Sequence, residues 1–330
     1  MFLRVVIGVL LALNSAVAVA SEPLGIVTGP KTGTYYAFGK DIAQAVNTSN
    51  VLVEIKSSEG SIENIKRINS SENAALGIVQ SDVLGFLSRS QNPESVKMAS
   101  KLRMVFPFYN EEIHVLARKT IASFTDLKGK KVAIGEDGSG NMLTAINLLS
   151  MMDVAPAETL KMPPAQAVVA VLKGELDALV FVGGKPVRLF KNMEDLNLSE
   201  NQKFAPMLKE VHFLPLNSPK MLEEYKPATL TASDYNFVGG VTPTIAVQAM
   251  MVSYDFSAGN KERCTKLTAL AQALKAALPK LREKGHPKWK EVDLEANTGA
   301  WKRDICAWPE TAKPVADDKK ELLGILEKKK

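Results

Sequence analysis

The sequence predicts an α/β protein made of two lobes that are joined by a hinge. Three observations lead to this fold class. Strand, turn and helix follow one another three times within roughly the first 70 residues of the mature chain. The second half of the chain then repeats the opening turn motif, and no low-complexity linker separates the halves. Two lobes without a linker indicate connections through short strands, which form the predicted hinge.

The amino terminus has the three parts of a secretory signal peptide. Arg4 gives a basic start, residues 5–13 are apolar, and residues 18–20 (Ala-Val-Ala) form a small-x-small cleavage site. We therefore expect residues 1–20 to be removed and the mature chain to be exported to the periplasm. An uncleaved membrane anchor is the alternative, although the apolar run is short for a hydrocarbon core of ~30 Å.

The composition is typical of a folded, globular protein. Hydrophobic residues make up 46% of the chain and charged residues 23%, which argues against disorder. The net charge is +5, and part of it lies at 319–330, where lysines flank apolar residues and predict a terminal amphipathic helix. No aromatic-basic pattern accompanies these lysines, so the sequence does not favour nucleic acid or a membrane as a partner.

The two cysteines, Cys264 and Cys306, predict a disulfide bond. An even pair in an exported chain is usually bridged. Closing a loop of about 40 residues stabilises the fold by roughly 4 kcal/mol in the chain-entropy treatment. Two buried free thiols are the alternative. A catalytic cysteine is not favoured, because no histidine lies near either one in the sequence.

Residues 25–38 (GIVTGPKTGTYYAF) form the opening unit of strand, turn and helix. The helix is predicted to begin at Thr34 and Tyr35. Its first N–H groups and the positive end of its dipole suit a carboxylate or another anion. An ordinary connection between strand and helix, without a ligand, is the alternative.

Two similar units follow the opening one. Strand 51–55 leads into a turn in which Ser61 is a good N-cap for the next helix. Strand 74–79 leads directly into Gln80 and Ser81 and then into another helix. Ligands of such sheets bind at the carboxyl ends of the strands, where these polar residues fall. We expect the neighbouring Asp82 only to complement the dipole of its helix.

The second half of the chain repeats the opening arrangement. A strand ending at 135 is followed by a turn with Ser139 and Gly140, and Asn141 opens the next helix. A later glycine-rich turn contains Gly183 and Gly184. The other predicted strands are 104–109, 113–117, 178–182, 211–216 and 245–252, and the other predicted helices are 165–172, 187–191, 264–275 and 276–284. The sheet is predicted to be mostly parallel.

These motifs, in this order, resemble the TAXI branch of TRAP-transporter solute-binding proteins, which have the type II periplasmic-binding-protein fold. The segments that carry the resemblance are TGPKTGTYY at 28–36, EGSIEN at 59–64, LGIVQSD at 76–82, DLKGKKVAIG at 126–135, GSG at 138–140 and FVGGKP at 181–186. The resemblance extends over roughly residues 24–255. The chain departs from it at Pro30 and Lys31, at 230–235 and from 256 onward.

The resemblance implies an extracytoplasmic solute receptor. Its lobes, predicted as 21–112 with 236–330 and as 113–235, would close on a small organic anion. That ligand would be a glutamate-like amino acid, a dicarboxylate or a 2-oxo acid, delivered to a TRAP-type membrane permease by a monomer that needs no cofactor or metal. The alternative is a periplasmic ligand-sensing subunit of a membrane signalling kinase.

Nine residues are predicted to contact the ligand through hydroxyls, an amide, an aromatic wall, helix N-termini or close backbone approach. They are Thr34, Tyr35, Ser61, Gln80, Ser139, Gly140, Asn141, Gly183 and Gly184. A structural role is open for several of them: Ser61 could be a plain helix cap, and the two glycines at 183 and 184 could serve only their turn.

An enzyme is not favoured. The turn at 137–141 lacks a glycine two residues before Ser139, so it is not a nucleophile elbow. None of the three histidines has a partner at metal-ligand spacing. Glu111 and Glu112 are a doubled carboxylate, which we interpret as the solvated edge of a strand rather than as an acid/base pair.

Overall fold

The structure, a computed structural model, describes residues 22–31, 33–47, 51–70, 74–194, 205–255, 259–296 and 298–309. The predicted signal peptide and the predicted basic helix at 319–330 lie outside the described residues. No helix within the described ranges combines the length and the apolar character that a membrane span requires.

Within those ranges, ten strands form one sheet. The strands are β1 (Leu24–Val27), β2 (Val53–Lys56), β3 (Leu76–Gln80), β4 (Leu102–Arg118), β5 (Lys131–Ala133), β6 (Glu158–Leu160), β7 (Ala178–Gly183), β8 (Val211–Phe213), β9 (Lys226–Leu230) and β10 (Thr242–Tyr254). The α-helices are α1 (Thr34–Val46), α2 (Ser61–Ser70), α3 (Val83–Ser88), α4 (Pro93–Lys101), α5 (Gly140–Met151), α6 (Pro164–Lys173), α7 (Arg188–Glu194), α8 (Ala205–Leu208), α9 (Pro219–Leu222) and α10 (Lys261–Lys284).

The strand order is β2-β1-β3-β10-β4-β7-β5-β6, with β8 paired to β4 and β9 paired to β10. The predicted α/β class is confirmed, but the sheet is mixed rather than mostly parallel. The pairs among β1, β2 and β3 and among β5, β6 and β7 are parallel. All described pairs of β4 and β10 are antiparallel, because these two long strands run in opposite directions through the middle of the sheet.

β4 is one strand of 17 residues, where the sequence predicted two. The polar residues at 110–112 suggested a break. They continue the strand because Glu111 pairs with Val247 of β10, and Glu112 pairs with both Ala246 of β10 and Gly183 of β7. β4 and β10 therefore run through both sides of the sheet. They are long strands rather than the short ones predicted, and of the two predicted lobe boundaries only the one at 112/113 falls within them.

We call the β1–β3 side the first half and the β5–β7 side the second half. Helices pack against both, and each half has its own apolar clusters. In the first half, Trp289 stacks on Phe38 with ring centroids 4.3 Å apart, and its Nε1 donates to Asp41 at 2.8 Å. Trp289 is fully buried and lies in a 3-10 helix, Pro287–Glu291. The region after 256, which carried no motif, therefore completes the core of the first half.

α10 is one helix of 24 residues with Pro279 inside it, where the sequence predicted two helices. Cys264 in its first turn is bonded to Cys306, and their Cα atoms are 5.2 Å apart. The structure thus contains the predicted disulfide. The bond fastens the segment after α10 to the start of that helix.

Candidate functional site

The turns at the carboxyl ends of the strands bring the two halves into contact. We call this contact surface the seam. Its main residues are Tyr35, Ser61, Gln80 and Asp82 of the first half and Gly138, Gly140, Thr144 and Gly184 of the second. In open α/β sheets this is the edge at which ligands bind.

The start of α2 is one side of the seam. The backbone N–H groups of Ile62 and Glu63 donate to the carbonyl oxygen of Gly138 at 3.1 and 3.2 Å. A turn of the second half therefore takes the free donors that a helix N-terminus offers to an anion. Ser61 is fully buried, and its Oγ accepts the N–H of Gln80 at 3.1 Å. It thereby holds the end of β3 against the start of α2.

Asn64 holds together the strand ends of the first half that lie next to the seam. Its Nδ2 donates to the carbonyl oxygens of Thr28 and Ile78, both at 2.6 Å, and its Oδ1 accepts the hydroxyl of Ser58 at 2.6 Å. One fully buried amide therefore ties the ends of β1 and β3 to α2. The sequence analysis did not predict this role. The signal that could have indicated it is a polar residue next to Ile65 on the apolar face of the helix.

The second half meets the first at the start of α5. Ser139 is the N-cap, accepting the N–H of Met142 at 3.1 Å, and the Oδ1 of Asn141 accepts the N–H of Val182 at 2.9 Å. These bonds lie within the second half and support the turn. Gly140 faces the other half: a Cβ there would lie 2.1 Å from Oε1 of Gln80. The glycine is what permits this approach.

Gly184 is a second point of close approach. A Cβ on it would lie 2.7 Å from Cε of Lys288 and 3.2 Å from the ring of Tyr109. The neighbouring Gly183 ends β7 and pairs with Glu112. Thr34, the first residue of α1, lies beside Tyr109.

Asp82 lies at the start of its helix, where the sequence predicted that it complements the dipole, and it also bonds to other elements. It is the N-cap residue of α3, but its side chain makes no capping bond. Its Oδ2 instead accepts the hydroxyls of Thr144 at 2.7 Å and Tyr225 at 3.3 Å. Burial raises the pKa of Asp82 to about 6, against the lowering effect of these bonds. Because Thr144 lies on α5 of the second half, the bond from its hydroxyl to Asp82 crosses the seam.

Glu111 and Glu112 are buried, each 5% exposed, so their interpretation as a solvated edge is wrong. They lie in the middle of the sheet, where β10 pairs with β4. Glu111 accepts the hydroxyl of Tyr35 at 2.7 Å. Glu112 accepts the N–H of Lys185 at 2.8 Å and contacts Nζ of the buried Lys288 at 3.4 Å.

Burial is the main influence on the protonation of Glu111. It raises the pKa of this carboxyl to about 8; the charges of Asp82 and Glu112 add to the effect and the bond from Tyr35 opposes it. Burial also raises the pKa of Tyr35. His114 is a core residue bonded to Tyr235 at 2.8 Å, and burial lowers its pKa to about 3.

The Glu111→Gln variant should be more stable than the wild type at high pH. A carboxyl whose pKa is raised on folding contributes stability that is present below its unfolded pKa and is lost as pH rises through the folded value. That loss runs from about pH 4.5 to about pH 8. We expect the ligand-free variant to gain on the order of 4 kcal/mol at pH 8 and almost nothing below about pH 4.5, because the pKa rises from 4.5 to about 8 and one pKa unit corresponds to ~1.4 kcal/mol. Urea denaturation at both pH values measures this, and an equal effect at both would contradict it.

A groove of about 330 Å³ lies on the surface of the first half beside the first turn. It is lined by Pro30, Lys31, Ser57, Ser58, Glu59 and Glu63. It adjoins the two residues at which the chain departs from the resemblance stated above. Within the described ranges, no group of three or more His, Cys, Asp or Glu side chains is arranged to hold a metal ion.

The match to a protein family covers most of this architecture. The NMT1-like family matches residues 26–268, from β1 into α10. This chain belongs to the NMT1-like family. The match ends before the 3-10 helix that carries Lys288 and Trp289, and it does not identify the TAXI branch.

Several solved structures resemble this NMT1-like protein in fold. The GluR0 ligand-binding core from Nostoc punctiforme, in complex with L-glutamate, is 18% identical, with 81% of this chain and 96% of that chain covered at a TM-score of 0.44. The periplasmic binding protein BugD is 12% identical, with coverages of 83% and 88% and a TM-score of 0.47. A histidine kinase sensor domain with similarity to periplasmic binding proteins is 13% identical, with coverages of 83% and 98% and a TM-score of 0.46.

Proposed function

We propose that this protein is an exported solute receptor whose two halves close on a small organic molecule and deliver it to a membrane permease. The observation that carries the proposal is the set of unpaired polar atoms in the seam. Among the described residues, four buried side-chain atoms lack a hydrogen-bond partner. Three of them lie in the seam or beside it: Oδ1 of Asp82, the hydroxyl of Tyr109, whose ring adjoins Gly184, and Nδ2 of Asn147, which follows Thr144 on α5.

Unpaired atoms of this kind favour a ligand between the halves. A buried donor or acceptor without a partner costs ~1–3 kcal/mol. A polar ligand bound beside the direct contacts would supply the missing partners and the binding energy for closure. Asn147 lies on α5 and Asp82 follows β3, so both halves contribute to the set.

The two central strands support closure as the mechanism. The proposed lobes are 21–112 with 236–330 and 113–235, and the first boundary falls within β4 beside Glu112. Small backbone changes at this crossing would separate the seam residues without disturbing either core. Ligand contacts with both halves would then shift the population toward the closed form.

The proposed ligand class and the proposed permease rest on the resemblance of the sequence motifs to the TAXI branch. We propose a glutamate-like amino acid, a dicarboxylate or a 2-oxo acid as the ligand and a TRAP-type permease as the recipient. The hydroxyls of Thr34 and Ser61, the amide of Gln80 and the backbone at Gly140 and Gly184 would contact it. Export to the periplasm rests on the predicted signal peptide.

Ligand-dependent compaction tests this proposal. Purified mature protein should show a smaller radius of gyration in small-angle scattering with at least one member of a panel of amino acids, dicarboxylates and 2-oxo acids. The same ligand should raise the melting temperature, since ligand at 100 times its Kd stabilises by ~2.7 kcal/mol. Native mass spectrometry of protein from its own periplasm identifies a co-purifying ligand. Turnover of the ligand, or no compaction with any panel member, would contradict the receptor function.

A further inference from the structure

Among the described residues, Glu111 is a buried carboxyl group beside the seam that has no cation within ion-pair distance. We propose that Glu111 holds an ammonium group of the ligand, so that the protein binds amino acids in preference to the corresponding 2-oxo acids. This inference rests on the proposed receptor function and narrows its ligand class.

The contrast between Glu111 and Glu112 is the first observation. Both are buried to the same extent in the same strand. Glu112 is balanced by Lys288, itself 4% exposed. Within the described part of the chain, Glu111 has no cation within ion-pair distance, and its side-chain bond is to the neutral phenol of Tyr35. A buried charge without a partner is costly, which makes Glu111 a place for a ligand cation.

The hydroxyl of Tyr109 is the second, independent observation. Tyr109 lies two residues before Glu111 in β4 and is 1% exposed, and its hydroxyl has no hydrogen-bond partner. Burial first and the charge of Glu111 second raise the pKa of this phenol. An ammonium group has three donors and no acceptor, so it can donate to the carboxylate and to the phenol oxygen at once.

The charged and titratable groups around Glu111 come from several elements. They are Tyr35 from α1, Asp82 after β3, Tyr109 and Glu112 from β4, and Lys288 from the 3-10 helix. The only cation of this set, Lys288, is engaged by Glu112 and Glu291, the latter at 2.8 Å. The surroundings of Glu111 are therefore negative whenever Asp82 is ionised, and they attract a cation.

Binding of an ammonium group should release a proton. In the ligand-free protein, burial raises the pKa of Glu111 to about 8, so the carboxyl is protonated at neutral pH. A neighbouring ammonium favours the carboxylate, because opposite charges stabilise each other. The carboxyl proton then passes to the buffer while the ammonium keeps its own protons. Close to one proton should leave for each ligand bound at pH 7.

Titration calorimetry with matched ligand pairs tests the inference. Each pair differs only in an ammonium group against a ketone: L-glutamate with 2-oxoglutarate, L-alanine with pyruvate, and L-leucine with 4-methyl-2-oxopentanoate. For at least one pair we expect the amino acid to bind about tenfold tighter or more. Titrations in phosphate and Tris buffers, whose ionisation enthalpies differ, give the number of protons released.

The Glu111→Gln variant keeps the shape of the side chain and removes its charge. It should lose about tenfold or more in amino acid affinity, leave 2-oxo acid affinity unchanged and abolish proton release. Glu283→Gln, the same change at an exposed position of α10 away from the seam, is the matched control and should behave like the wild type.

Two results separate the failure of this inference from that of the receptor function. The first result is a 2-oxo acid that binds the wild type as tightly as the matching amino acid does and also compacts the protein. It would overturn the proposed role of Glu111 but leave the proposed receptor function standing. An equal loss for both ligand types in Glu111→Gln would overturn it as well. If no ligand of either type binds or compacts the protein, the receptor function itself fails.

Discussion

Replacing Gly140 with alanine should prevent closure and weaken ligand binding by about 10- to 100-fold. The added Cβ would lie 2.1 Å from Oε1 and 2.5 Å from Cδ of Gln80, and 2.9 Å from Oγ of Ser61. Gln80 is 3% exposed and is enclosed by Ser61 and Thr144, so its amide has little room to move. Overpacking of this kind costs ~1–3 kcal/mol, and each 1.4 kcal/mol is a factor of about ten in affinity.

The conflict exists only when the halves are in contact, so the Gly140→Ala variant should still fold. Alanine favours the start of α5, where no left-handed backbone conformation requires glycine. Circular dichroism should match the wild type, while scattering should show no ligand-dependent compaction. Gly240→Ala is the matched control, because a Cβ at Gly240 meets nothing within 4 Å. Wild-type affinity and compaction in the Gly140→Ala variant would show that closure does not use this seam.

Replacing both cysteines with serine should cost about 4 kcal/mol of unfolding free energy. The bond joins residues 42 positions apart, and closing a loop of that length restricts the unfolded chain by this amount in the chain-entropy treatment. The segment it fastens is also held by packing: Trp308 is buried and donates its Nε1 to the carbonyl oxygen of Val105 at 2.7 Å. We therefore expect a less stable protein with the same fold.

Urea denaturation of the Cys264→Ser/Cys306→Ser variant measures this loss. The reduced wild type is the control and should unfold at the same urea concentration as the variant. Ligand affinity at low temperature should not change, because the bond joins α10 to the C-terminal segment and has no part in the seam. A loss under about 1 kcal/mol would contradict the expected contribution of the bond.

The sequence predicted the parts of the fold that depend on local patterns. Alternating strands and capped helices gave the α/β units on both sides, and the turn at 138–141 was identified as the counterpart of the first turn. It did not predict the single long strand β4, because the polar residues at 110–112 look like a break. Their burial depends on Val247 and Ala246, far away in the chain.

The candidate site shows the same limit. Ser61, Gln80 and Gly140 were chosen for their positions at strand and helix ends, and the structure brings all three together. The bonds of Asp82 with Thr144 and Tyr225 join segments more than 60 residues apart, and no local pattern records them. The pairing of Lys288 with Glu112 spans 176 residues. The local pattern predicted Asp82 only as a helix-dipole partner, and its bonds to Thr144 and Tyr225 are visible only in the tertiary structure.

The sharing of β4 and β10 by both halves limits how the protein can be divided. A cut between the halves would sever each of these strands in mid-length, so neither half could be produced alone with a complete sheet. Each fragment would present open strand edges, which are templates for aggregation. The two halves are therefore one unit of folding. Recombination with a related protein could exchange the turns of the seam, but not one half for another.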